Sequence, residues 1–410
     1  MAEESKQSIT SGSKSGSKTG SKTGSKTGSK TGSKTDMYLS SKKGEGDTLE
    51  FTLKNINVSI ANGLRRTILS DIPILGFKGF PHSENDINII KNTSRINNEI
   101  LKQRISCIPI HKIKINEPFD KLSFEINEVN DTDEIKYVTT EHFKIKDTET
   151  GKYLEESLVR KILPPDPITG DFIIINRLLS KISQEKLGEH LKFSAKLSIN
   201  TAKDDGVYNV TSCCCYMNTP DKIRQDDIWT DMLKNLSEED REPTKLKIKK
   251  SDWVNHNSRR VFIPNSFDFK ITSIGIFTNE EIVKMACNII IDKLEQQKKS
   301  ILNPTTFAKM LQSFANSTIQ NCFDITLFNE DYTIGKIIEY VLHYTYYKDR
   351  GELSYVGFRK NHPHDSHSII RLAFNKNVET GEENALLTEI LSDSCNKGIE
   401  IYKNILENFD

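Results

Sequence analysis

No stretch of this chain approaches the roughly 18 consecutive apolar residues that span a bilayer, and its N-terminus lacks the apolar core of a secretory signal. Both absences point to an intracellular protein. Trp is scarce, at two, and Cys is limited to seven, an odd number with no Cys-x-x-Cys pair. Such a set is read as reduced thiols rather than a disulfide framework. Asn-x-Ser sequences such as Asn57-Val58-Ser59 then carry no glycan. Catalytic signatures are missing as well. There is no Gly-x-Ser-x-Gly, no His-Glu-x-x-His and no Asp-rich metal loop. Asp226-Asp227 and Glu238-Glu239-Asp240 lie in a polar, loop-like stretch and read as surface charge.

Apolar residues make up only 36% of the chain, and part of that deficit sits at the N-terminus. From Gly12 to Thr35 run six tetrapeptides of the form Gly-Ser-Lys-Thr, the first ending in Ser15. Gly and Ser keep such a segment flexible and its evenly spaced Lys repel one another, so residues 1–36 are expected to be disordered. A phosphate-binding loop is excluded, because Ser always separates Gly from Lys and no strand precedes. Residues 1–35 hold seven Lys against two Glu, a net +5, in a chain whose 57 basic and 57 acidic side chains cancel. The folded part is therefore mildly acidic, unlike a compact DNA-binding domain.

Order is expected to begin near Leu49, where Leu49–Leu53 alternates as a half-buried strand. Ile60, Ala61, Leu64 and Ile68 then fall on one helical face, with Ser59 placed to cap the start and Pro73 beyond the end. Gly63 inside this helix costs about 1 kcal/mol against Ala, which suggests close packing on another backbone. Residues 112–261 read as a separate, mostly β insert, with alternating runs and the turn Pro164-Pro165-Asp166-Pro167. Phe267–Ile271 alternates again, and Ile282, Met285, Ala286, Ile289, Ile290 and Leu294 mark a strong amphipathic helix. Residues 301–321 look like a connector. The last stretch repeats the plan, with strand-like Ile325–Phe328, a helix over Asp331–Leu342, strands at Leu353–Arg359 and Ser368–Phe374, and a final helix near Asn384–Phe409.

The repetition is also local. Ser59-Ile60-Ala61-Asn62-Gly63-Leu64 aligns without a gap on Thr333-Ile334-Gly335-Lys336-Ile337-Ile338, each a hydroxyl, Ile, a small residue and a later aliphatic. Two copies of one module in one chain imply pseudo-twofold pairing.

Asn57–Arg66 closely resembles the first-helix motif of the RNA polymerase α family, which takes in bacterial α, the archaeal D subunit and the eukaryotic third-largest subunit. Asn92–Ile100 followed by Gln103-Arg104-Ile105-Ser106-Cys107-Ile108-Pro109-Ile110 resembles that family's next signature, an acidic helical stretch leading into a strand, with Ser106 and Cys107 in place of a small-apolar pair. Asp331–Lys336 resembles the motif of the smaller partner, the archaeal L type, and Tyr355–Phe358 with His362-Pro363 fits its next strand and turn.

The resemblance implies an α+β fold with two α-type dimerisation modules in one chain. A D-like module would occupy 37–111 and 262–300 around the insert at 112–261, with a linker at 301–321 and an L-like module at 322–410. It implies a non-catalytic platform subunit whose partners are the two largest polymerase subunits and small polymerase subunits, with DNA and RNA met only through the complex and no membrane. The fused arrangement resembles that of large DNA viruses, which would place the protein in the host cytoplasm and the virion.

Interface positions carried by the resemblance are Asn62, Arg65, Arg66 and Arg104, with Ile60, Leu64, Ile68, Ile334, Gly335, Ile338 and Leu342 on the pairing faces. Arg65 and Arg66 fall on the polar side of the first helix and would meet the second-largest subunit. Glu339 and Tyr340 stand at the same positions of the second copy. No catalytic residue, cofactor or metal is expected. His362, His364 and His367 read as a loop without metal, and residues 112–212 contain no Cys that could build a metal cluster. Cys213–Cys215 are expected to alternate between the two sides of a strand.

The rival reading is a free-standing nucleic-acid-binding or regulatory protein acting through its basic tail. Deleting residues 1–35 separates the two. A platform subunit still co-purifies with its polymerase partners, whereas a tail-driven regulator loses its function.

Overall fold

A computed structural model describes residues 38–181, 183, 188–238, 241–313, 319–376 and 382–409. The tail expected over 1–36 lies outside them, as do Glu239 and Asp240.

Order begins earlier than the alternation at Leu49 suggests. β1 (Leu39–Glu45) turns back into β2 (Thr48–Lys54), which buries Leu49, Phe51 and Leu53 at alternate positions. Asn55 then adopts a left-handed backbone at φ 59°, and the Asn57 side chain accepts the Ser59 amide to start α1 (Val58–Ser70). The cap is thus Asn57, and Ser59, expected in that role, supplies the amide it satisfies.

The insert follows. β3 (Ile74–Gly76), β4 (Ile87–Asn92) and α2 (Asn98–Ser106) precede β5 (Leu122–Val129), β6 (Lys136–Thr139) and β7 (Lys144–Asp147). Then come α3 (Glu156–Ile162), β8 (Ile174–Leu178), β9 (His190–Lys196) and β10 (Ser198–Asn200). An antiparallel sheet runs β4-β9-β5-β7, while β3 pairs with β10 and β6 with β8. Its core holds Phe77, Phe124, Phe143 and Phe193, with ring centroids 5.1–6.0 Å apart. Leu75, Leu101, Ile105 and Ile110 belong to the same core, so the insert draws on residues before the expected boundary at 112. Gln103–Ser106 close α2 instead of entering a strand, because Leu101 and Ile105, four apart, form the face that α2 buries.

β11 (Thr211–Pro220) pairs with β12 (Phe262–Ser273) and completes a first sheet ordered β1-β2-β12-β11. It therefore shares a sheet with β1, β2 and β12, although the sequence reading places it in the insert over 112–261. Between β11 and β12, α4 (Lys222–Lys234) and α5 (Pro243–Asn255) form a hairpin in which Trp229 stacks on Trp253 at 6.4 Å. Asp226 and Asp227 thus lie on a helix rather than in a loop. After β12, Thr278 and Glu281 cap each other's backbone and open α6 (Asn279–Leu302).

The expected connector carries structure of its own. α7 (Pro304–Met310), capped by Asn303, buries Phe307 and Met310, and β13 (Leu311–Ser313) follows it. β14 (Cys322–Phe328) leads to α8 (Tyr332–Leu342), which continues as a wider π-type helix over His343–Asp349. β15 (Leu353–Arg359), β16 (His367–Phe374) and α9 (Glu383–Glu407) complete the chain, and this sheet runs β13-β14-β16-β15.

The two sheets share one connectivity, strand–strand–helix–strand–strand–helix, at a constant offset through the first units. β14 begins 322 − 48 and α8 begins 332 − 58, or 274, residues after β2 and α1. Asn329 repeats the left-handed backbone of Asn55 at φ 58°, and Asp331 repeats the cap of Asn57. α1, α6, α8 and α9 pack on one another, so a single apolar core runs through both halves.

Between the halves, position 63 leaves no room for a side chain: a Cβ added at Gly63 would lie 2.7 Å from the Tyr402 hydroxyl. Gly63→Ala is therefore expected to destabilise by about 1–3 kcal/mol despite its better helix propensity. Most of that loss should vanish in a Tyr402→Phe background, which removes the clashing oxygen. Urea midpoints of the two single variants and the double variant check this.

Candidate functional site

Each of the paired helices is amphipathic because of its sequence spacing, and each packs that face into a core shared by its own sheet and the other half. Ile60, Leu64 and Ile68 of α1 and Ile334, Ile338 and Leu342 of α8 are all buried in the shared core. Gly335 lies under the ring of Phe358, where an added Cβ would fall 1.9 Å from ring carbon. Tyr402 of α9 is fully buried and donates its hydroxyl to the Ile60 carbonyl at 2.9 Å. That burial pushes its phenol well above its ordinary pKa, so it stays a donor.

Polar contacts run along the edge of this seam. Arg66 donates to the Thr333 hydroxyl at 2.9 Å and to an Asp331 carboxylate oxygen at 2.7 Å. The other Asp331 oxygen accepts the Thr333 amide at 2.8 Å, so one carboxylate both caps α8 and binds α1. Burial alone would push the Asp331 carboxyl up. The Thr333 amide and hydroxyl and the Arg66 guanidinium outweigh that and hold it below the usual carboxylate value. Nearby, Lys293 of α6 pairs with Asp71, and the Gln297 amide reaches Glu330 at 3.4 Å.

Glu330 stands where the first copy has buried Ile56 (330 − 56 = 274), and it is only 9% exposed. Burial lifts its carboxyl to about 7, against the opposing Lys293 charge and the Gln297 hydrogen bond.

The expected polar positions therefore divide. Arg66 is turned across to the second half instead of standing on an outer polar face. Arg65 stays on its own helix, its guanidinium donating to the Asn62 side-chain amide oxygen Oδ1 at 3.0 and 3.1 Å, and both residues remain partly exposed. Arg104 lies on the insert, exposed, and donates to the Ile174 carbonyl at 2.7 Å. Sequence reasoning places Tyr402 on the apolar stripe of the last helix with Ile399 and Leu406, but missed its hydrogen bond to α1, the paired Asn and Asp caps, and Glu330. The signal for the caps was present in Asn55-Ile56-Asn57 beside Asn329-Glu330-Asp331.

Among the described residues, no three His, Cys, Asp or Glu side chains converge to hold an ion. His362 and His364 are exposed, with ring centroids 5.1 Å apart. No described helix is long and apolar enough to cross a membrane.

Helices laid on a sheet, with their apolar faces sealed by partner helices and their edge stitched by cross-half polar contacts, define a protein-pairing scaffold. The chain belongs to the RNA polymerase Rpb3/Rpb11 dimerisation-domain family, whose model matches residues 50–294. It is 22% identical over 265 residues to the DNA-directed RNA polymerase subunit Rpo3 of Thermococcus kodakarensis, covering 61% of this chain and 92% of that protein. It is 25% identical over 262 residues to the DNA-directed RNA polymerase II subunit RPB3 of Schizosaccharomyces pombe, covering 60% and 82%. Subunit 3B of the DNA-directed RNA polymerases IV and V of Arabidopsis thaliana matches at 24% over 294 residues, covering 61% and 86%.

Glu330 yields a pH prediction. Its folded pKa lies above its unfolded one, so its destabilising effect is absent below about pH 4.5 and complete above about pH 7. Glu330→Gln should therefore gain stability over the native chain as pH rises from 5 to 8, by at most about 3 kcal/mol. Chemical denaturation across that range measures it. Separately, a double-mutant cycle of Arg66→Ala and Asp331→Ala should give a coupling of about 0.5–1 kcal/mol, modest because both groups are partly exposed.

Proposed function

We propose that the protein is a non-catalytic platform subunit of a DNA-dependent RNA polymerase, carrying both partners of the dimerisation pair in one chain. In this reading the family match over 50–294 marks a D-like module, and residues 322–410 are its L-like partner. The observation that carries it is the repeated connectivity, with β2, Asn55, Asn57 and α1 answered 274 residues later by β14, Asn329, Asp331 and α8. Fusion makes the pairing intramolecular, at high effective concentration, so no separate small partner has to be captured.

The paired modules would nucleate assembly of the two largest polymerase subunits. Arg65 and Arg104, both accessible at the surface, are the basic positions open to such partners. Arg66 would act indirectly, by holding the two modules in register. A large DNA virus as source, with the chain in host cytoplasm and virion, belongs to the same proposal and is supported by the fused resemblance alone.

Affinity purification of the chain from cells that naturally express it tests the reading. The two largest polymerase subunits are expected at one-to-one stoichiometry, and Arg65→Glu is expected to reduce their recovery several-fold while leaving the thermal transition unchanged. Recovery of the chain alone, or with unrelated partners, contradicts it.

A further inference from the structure

The first sheet turns Glu50 and Lys270 outward, exposed, and its edge strand β11 lines the same face with sulfur. Cys213 and Cys215 point outward, Cys214 points into the core between them, and Met217 continues the outward row with 58% of its surface exposed. Residues two apart on a strand begin about 6.7 Å apart, yet the Cys213 and Cys215 sulfurs stand only 3.8 Å from each other. A cation bound through metal–sulfur bonds of about 2.3 Å holds two thiolates roughly 3.8–4.0 Å apart in tetrahedral or trigonal geometry. The pair is thus already spaced as two ligands of one ion, and a flexible thioether lies one step along the same face.

The surrounding donors narrow the choice of ion. The row opposite Cys215 places Lys270 beside it, and a charged ammonium cannot ligate. Asp268, opposite Met217, has one carboxylate oxygen taken by the hydroxyls of Thr52 and Thr219 at 2.7 and 2.8 Å. With no third His, Cys, Asp or Glu converging there among the described residues, the donor set is two thiols and a thioether. Hard and borderline cations are poorly served by such a set, and soft ones are well served.

We propose that Cys213, Cys215 and Met217 form a binding site for a soft, thiophilic cation of the Cu(I) class. Binding releases two protons to solvent as the thiols become thiolates, and no electron is transferred. The position on an exposed edge leaves the ion's remaining coordination open to solvent or to a small thiol.

The test is anaerobic titration of the full, reduced chain with Cu(I) against the chromophoric chelator bicinchoninate. The chain is expected to withdraw one Cu(I), with affinity falling at least about tenfold in Cys215→Ser and several-fold in Met217→Leu. Cys107→Ser, which alters an exposed cysteine elsewhere, should change nothing. Circular dichroism confirms that each variant is folded. Failure to withdraw Cu(I), an equal loss in Cys107→Ser, or Zn(II) bound as tightly as Cu(I) would each overturn the assignment.

Discussion

The Tyr402 phenol is fully buried in the core that the four helices share, and it donates to a carbonyl on a helix 342 residues earlier. A buried hydroxyl without a partner would cost about 1–3 kcal/mol, so α9 and α1 must keep this distance. They can do so only because position 63 has no side chain. Around that contact the four helices place aliphatic side chains from both ends of the chain into one core. Each sheet buries one face of its own helices, and the remaining apolar faces pack on helices of both halves. The helices of the two halves therefore share one core, beside the separate core of the insert.

The two copies are alike in backbone and unlike in charge. Both enter their first helix through a left-handed Asn and an Asx cap, which fixes the angle between strand and helix. Beyond that entry they diverge. The first copy has Arg66 where the second has Tyr340, and buried Ile56 where the second has Glu330. The differences interlock, since Arg66 binds the very carboxylate that caps the second copy's helix.

The strands and the long helices were legible because their periodicities are strong. The β2 alternation, the stripe of α6 and the repeat at Ser59 and Thr333 follow directly from where apolar residues fall. Harder to see were features that depend on distant partners. β11 reads as part of an insert until β12 is brought beside it, and Gln103–Ser106 could pass for a strand until α2 buries Leu101 and Ile105. The α4–α5 hairpin is polar outside and held by one tryptophan pair, so its helical stripe is weak. Arg66 shows the limit at the site itself. Its helical phase marks it as polar, but only the opposing half reveals that its partner lies inside the same chain.

If the shared helical core holds the two halves to each other, cutting the chain between them leaves them together. A flexible linker carrying a specific protease site, inserted after Leu302 between α6 and α7, would allow cleavage of the folded protein, followed by gel filtration at low micromolar concentration under native conditions. Two fragments that still elute together at one-to-one stoichiometry, and separate only in denaturant, are what the shared core predicts. Fragments that part on cleavage and remain folded as independent units would contradict it.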